Sequence, residues 1–141
     1  MRYGLFALLF ILIGITAHTD KARADETSPG DEIKTIILEQ LNAFKQSDAV
    51  KAYSYAANAI KAQFPSPQVF IQMVRSGYGP LFSAREIGFG KTIEADEGFY
   101  QEVWLSDRNG DSWLGIYRMN QFEGDWKING VLLKKSQSTA S

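Results

Sequence analysis

The chain has 141 residues, 45% of them apolar, with no cysteine, a single histidine and a formal charge of −1. Enough apolar residues for the core of one domain are present, while disulfides, thiol catalysis and lipidation on cysteine are excluded. The balanced charge forms no basic stripe that could release counterions, which excludes nucleic acid as a partner.

Arg2 precedes an apolar run from Leu5 to Ala17, and Ala22-Arg23-Ala24 supplies a small-x-small cleavage pattern. The run is shorter than the roughly 17–25 residues that span a hydrocarbon core. It reads as an export signal cleaved after Ala24, with the mature chain, from Asp25, in the periplasm and free of the membrane. Cleavage removes His18, so the mature chain has neither imidazole nor thiol. Ser-His-Asp and Cys-His nucleophilic sites and His or Cys metal sites are thereby excluded, and no cofactor is expected. Cleavage also removes Arg2, Lys21 and Arg23 against Asp20 alone, leaving residues 25–141 more acidic as one domain with its core over about 32–134.

Ser28-Pro29 is a capping residue followed by proline at a first helical position, with Asp31 in the positive first turn. Ile33, Ile36, Ile37, Leu41 and Phe44 then recur at helical spacing and form one apolar stripe. A second helix is expected from Ser47 or Asp48, with Val50, Tyr53, Ala57, Ile60 and Phe64 on its buried face and Pro65 as its stop. Ser66-Pro67 repeats the capping device and predicts a third helix through Val69, Phe70, Met73 and Val74, closed by Gly77 and Gly79-Pro80.

Beyond Pro80 the periodicity changes from helical to alternating. Leu81–Phe89 and Lys91–Asp96 read as strands, and Glu97-Gly98 as a turn into the run from Phe99. Asn109-Gly110 and Glu123-Gly124 sit between alternating runs, as two-residue type I′ hairpins require. Such loops would pair Val103 with Ile116, Leu105 with Leu114, Trp104 with Gly115, Met119 with Ile128 and Tyr117 with Gly130. One face would then carry Val103, Leu105, Leu114, Ile116, Val131 and Leu133. The other would carry Tyr100, Trp104, Tyr117, Met119, Trp126, Ile128 and Leu132. Both faces are apolar, unlike those of a sheet with one wet side. Helices before strands imply an α+β domain, three helices packed on one face of an antiparallel sheet of four or five strands. If the helices cover the aromatic face, the aliphatic face is left for a homodimer through the sheet.

Gln40-Leu41-Asn42-Ala43-Phe44, Asp48, Ala52-Tyr53 and the closing Trp126-Lys127-Ile128-Asn129-Gly130 resemble the nuclear-transport-factor-two-like superfamily. That resemblance implies a cystatin-like α+β roll. More narrowly, Phe64-Pro65-Ser66-Pro67, Phe70, Met73-Val74 and Tyr78-Gly79-Pro80 resemble a family of small exported bacterial proteins of unknown function. The likeness implies a fold and a compartment but no reaction, since the superfamily hosts enzymes and binding modules alike.

Asp107-Arg108-Asn109-Gly110-Asp111 spaces oxygen side chains as calcium loops do. An EF-hand counted from Asp107 would need Gly and Glu where Ser112 and Arg118 stand, so the segment reads as a plain hairpin. Tyr53, Phe70, Tyr78, Glu102, Trp104, Tyr117 and Trp126 are the candidate lining of a pocket between helices and sheet, suited to a small apolar ligand. Aromatic residues also fill cores without further function. Acid–base catalysis by Glu102, expected opposite Tyr117, is the enzymatic alternative, of the isomerase or dehydratase type. Gln101 and Arg118 are expected to pair across the strands. A non-catalytic binding or interaction module is the preferred reading.

Overall fold

The computed structural model describes residues 27–137, so the export signal expected over residues 1–24 lies outside the described residues. Among the described residues five helices come first: α1 (Pro29–Lys45), α2 (Ala49–Ser54), α3 (Asn58–Gln63), α4 (Pro67–Gly77) and α5 (Gly79–Ser83). Four strands follow: β1 (Glu86–Ala95), β2 (Gly98–Ser106), β3 (Ser112–Phe122) and β4 (Asp125–Lys135). They form one open antiparallel sheet in the order β1-β2-β3-β4. The class is α+β. None of the described helices is long and apolar enough to cross a membrane.

Both expected serine caps form. Ser28 Oγ accepts the Asp31 N–H and Ser66 Oγ the Val69 N–H, each at 3.2 Å, with proline beginning the helix that follows. These bonds satisfy amide donors that a helix start otherwise leaves unpaired. The α1 stripe buries Ile33, Ile37, Leu41 and Phe44 against the sheet and the shorter helices.

The second helix is not continuous, as its stripe had suggested. It breaks at Tyr55-Ala56-Ala57, where the backbone leaves helical pairing for the edge of β4. The Ala57 N–H donates to Ile128 O at 2.9 Å and the Ile128 N–H to Tyr55 O at 2.8 Å. An edge strand presents unpaired backbone groups, and this short parallel bridge satisfies two of them. Val50, expected on the buried stripe, is 66% exposed. The strand expected from Leu81 begins at Glu86 instead, because Gly79-Pro80 opens α5. The two strands expected on either side of Gly90 are one, β1, with an irregularity between Phe89 and Thr92.

The β2–β3 register is one residue away from expectation: Val103 faces Gly115, Trp104 faces Leu114 and Leu105 faces Trp113. The loop holds three residues rather than two. Asp107 and Asp111 close it, with Asp107 N–H to Asp111 O at 2.8 Å and Gly110 N–H to Asp107 O at 3.1 Å. Only Gly110, at φ +81°, takes the left-handed conformation there; Asn109 does not. This is a type I turn followed by a left-handed glycine, the usual three-residue alternative to a type I′ hairpin. The β3–β4 turn is the two-residue form, with Glu123 at φ 51° and Gly124 at φ 88°, and Met119 faces Ile128 as expected. Past Asn129 the register shifts, so Tyr117 faces Val131 instead of Gly130.

A one-residue slip moves side chains to the opposite face, and here it sorts the two apolar lists anew. Val103, Leu105, Tyr117, Met119, Trp126 and Ile128 are buried beneath the helices, with Val131 and Leu133 packed at their margin. Trp104, Leu114, Ile116 and Leu132 stand on the open face with Tyr100 and Glu102. Val103, Leu105, Val131 and Leu133, expected on the uncovered face, are therefore on the covered one. Trp104 and Leu132, expected under the helices, are 44% and 52% exposed.

Candidate functional site

Between the helices and the edge of the sheet lies a cavity of about 300 Å³. Its walls are Gln40 and Phe44 from α1, Ala56 from the helix break, and Ile60, Gln63 and Phe64 from the region of α3. Phe70, Met73 and Val74 of α4, Tyr78, Leu81 and residues 128–131 of β4 complete them. The break between α2 and α3 makes room for it, since a continuous helix would not bring Ala56 to the edge of β4. The volume is at the lower end of the roughly 300–1,000 Å³ of ligand pockets, and the apolar lining with a few polar groups is of the same kind.

Gln40 is the deepest polar group, 3% exposed on the otherwise apolar face of α1. Its Nε2 donates to Ala52 O at 3.1 Å, which orients the amide and leaves Oε1, an acceptor, as its other end. Gln63 is exposed and stands at the rim. No lining residue carries a formal charge. The cations next in sequence to the wall point into other contacts. Lys61 Nζ lies 5.1 Å from the centre of the Tyr53 ring, and the Arg75 guanidinium 5.0 Å from that of Phe82.

Of the seven residues singled out from the sequence, Phe70 and Tyr78 line this cavity. Tyr53 stands behind it. Its ring packs on Phe70 with centroids 5.5 Å apart, and its hydroxyl donates to Phe64 O at 2.7 Å, which ties down the end of α3. Tyr117 is fully buried in the core, where burial raises its hydroxyl pKa well above the ordinary value. Trp126 meets Phe99 edge to face at 5.2 Å. Glu102 and Trp104 lie on the open face, away from the helices. Glu102 is paired with Ile116 rather than Tyr117, and its Oε2 accepts the Lys91 N–H at 3.0 Å, bracing the irregular part of β1.

Gln101, expected to pair with Arg118, faces Tyr117 instead and is fully buried. Its amide is saturated locally: Oε1 accepts from Thr92 Oγ1, and Nε2 donates to Glu102 O at 2.9 Å and Gly90 O at 3.3 Å. Asp107, whose spacing had suggested a cation loop, has both oxygens occupied by N–H donors. Among the described residues, no group of three or more His, Cys, Asp or Glu side chains is placed to hold a metal ion.

Phe44, Ile60 and Met73 stand at helical spacing in the sequence, which marks them for burial and not as walls of a site. Gln40 carried a signal that could have marked it, being a polar side chain beside Leu41 on a stripe that is otherwise apolar. Such a residue, once buried, must find hydrogen-bond partners.

Residues 26–141 match the family described as Domain of unknown function (DUF4864), and the chain belongs to that family. No curated protein matches it.

Proposed function

We propose that this member of the family is an exported, non-catalytic binding module. It is secreted to the periplasm by cleavage after Ala24, is folded as a cystatin-like roll, and takes a small, mainly apolar molecule into the cavity between helices and sheet. The observation that carries this reading is the cavity itself, walled by aromatic and aliphatic side chains and reached by a few neutral polar groups. The rival acid–base reading needs a carboxylate inside the cavity to move a proton. Glu102, the candidate, is on the other side of the sheet, and Tyr78 is the one titratable side chain in the lining.

The same module forms a homodimer through the open face of the sheet. Ile93, Trp104 and Leu132 are 47%, 44% and 52% exposed there, beside Leu114 and Ile116. Four strands of about ten residues, at strand spacings of roughly 4.8 Å and rises of roughly 3.3 Å, present a face of about 600 Å². That approaches the roughly 800 Å² per partner of a stable interface, and a two-fold axis lets one such face cover itself.

Native mass spectrometry of protein released gently from its own cell envelope tests both parts. The expected species is a dimer carrying a small organic adduct that is lost on collisional activation. A monomer without any adduct over a range of protein concentrations would overturn the reading.

A further inference from the structure

We infer that the cavity selects an uncharged ligand that donates a hydrogen bond to Gln40, an inference that rests on the binding reading above. Three observations converge. First, no charged side chain lines the cavity, and the nearby cations Lys61 and Arg75 are turned onto the faces of Tyr53 and Phe82. An ionic group entering here would lose its water without gaining a counter-charge, which strongly disfavours it. Second, Gln40 is almost wholly buried, and one N–H of its Nε2 is committed to Ala52 O at 3.1 Å, which fixes the amide and leaves Oε1 as an acceptor without a partner among the described residues. A ligand that bonds to Oε1 must bring an O–H or N–H. Third, the volume of about 300 Å³ holds on the order of ten non-hydrogen atoms, at the roughly 30 Å³ that a water-sized group occupies. The ligand class is therefore a short neutral amphiphile, with a hydrocarbon or aromatic body and one hydroxyl or amide head. The body lies against Phe44, Phe70 and Met73, and the head points inward, with Gln63 at the entrance.

Four probes of nearly equal size separate the parts of this inference: 1-octanol, 1-methoxyheptane, octanoate and octylammonium, titrated calorimetrically at neutral pH into the wild type and Met73→Trp. Octanol should bind most tightly. The ether, which lacks the donor, should be about two- to tenfold weaker, and both ions at least about tenfold weaker. Met73→Trp, which fills the cavity, should remove octanol binding while keeping a cooperative thermal transition. Ile60→Trp replaces it if that variant does not fold.

If either ion binds as tightly as octanol, and Met73→Trp abolishes that binding, the neutral-ligand inference is wrong while the cavity stands as a binding site. Equal affinity of ether and alcohol overturns the role of Gln40. Absence of binding by every probe, or binding untouched by the blocking tryptophan, overturns the binding reading and this inference together.

Discussion

Asp107 holds Trp113 across the β2–β3 loop, its Oδ2 accepting the indole Nε1–H at 2.9 Å. Its Oδ1 accepts the backbone N–H groups of Asn109 and Asp111 at 2.9 and 3.0 Å. The loop is built around an ionised carboxylate whose pKa is held below the usual Asp value, chiefly by the indole bond, against the upward pull of burial. A folded-state pKa below the unfolded value of about 3.9 adds stability above that pH, and the stability is lost as pH falls through the folded value. Asp107→Asn should therefore lower the melting temperature at neutral pH, and the gap to wild type should narrow below about pH 4. Melting curves across that range, followed by circular dichroism, check this. A gap that stays constant on acidification would show that the charge is not what supports the loop.

Tyr117 offers the opposite case. Its hydroxyl is fully buried and, among the described residues, has no hydrogen-bond partner. An unsatisfied buried donor costs about 1–3 kcal/mol, and the aromatic ring does the packing. Tyr117→Phe should leave the fold intact and raise its stability by about 1 kcal/mol or more, as read by urea unfolding. A variant less stable than wild type would mean that the hydroxyl has a partner.

Gly98 begins β2 at φ +133°, and a Cβ there would lie 2.6 Å from the Met119 carbonyl oxygen and 2.5 Å from Asn120 Nδ2. The asparagine could turn aside; the backbone carbonyl could not without displacing β3. Gly98→Ala should destabilise the protein by at least about 2 kcal/mol, since backbone strain alone contributes roughly 1–3 kcal/mol. Equilibrium unfolding in urea gives the figure, and a loss under about 0.5 kcal/mol, the range of an ordinary surface change, would refute the clash.

Leu132 lies on the open face, 52% exposed. In the dimer proposed above, Leu132→Glu buries an unpaired charge from each protomer in the interface. Light scattering should show a folded monomer for this variant and for Ile116→Glu, against a dimer for wild type. A wild-type monomer at high concentration, or charged variants that remain dimeric, would rule out this interface.

Secondary-structure starts were legible in the chain because local chemistry decides them. Ser28-Pro29 and Ser66-Pro67 cap their helices without help from elsewhere, and Glu123-Gly124 forms the turn that its conformational preference demands. The candidate site was legible only in part. Phe70 and Tyr78 stand in the cavity wall, whereas Glu102 and Trp104 are on the far side of the sheet. That division follows from one residue in one loop. Asn109-Gly110 accommodates either a two- or a three-residue hairpin, and the choice goes with the bonds that Asp107 makes to Asp111 and Trp113. Because strand side chains alternate, the extra loop residue exchanges which side chains of β2 meet the helices, while Tyr117 and Met119 of β3 stay beneath them.

The cavity likewise depends on contacts far apart in sequence. Local periodicity favours a continuous second helix through Ala57, but the unpaired edge of β4 draws Tyr55 and Ala57 into backbone bonds with Ile128. Composition and pattern determined an α+β chain with no thiol and with imidazole only at His18, because residue inventory and short-range preferences suffice for that. Tertiary structure alone decided which sheet face is covered, where the second helix breaks and which side chains surround the cavity. The helix break and the cavity are set by backbone bonds of Tyr55 and Ala57 to Ile128, far away in sequence, and the covered face by which of two allowed loops the bonds of Asp107 select.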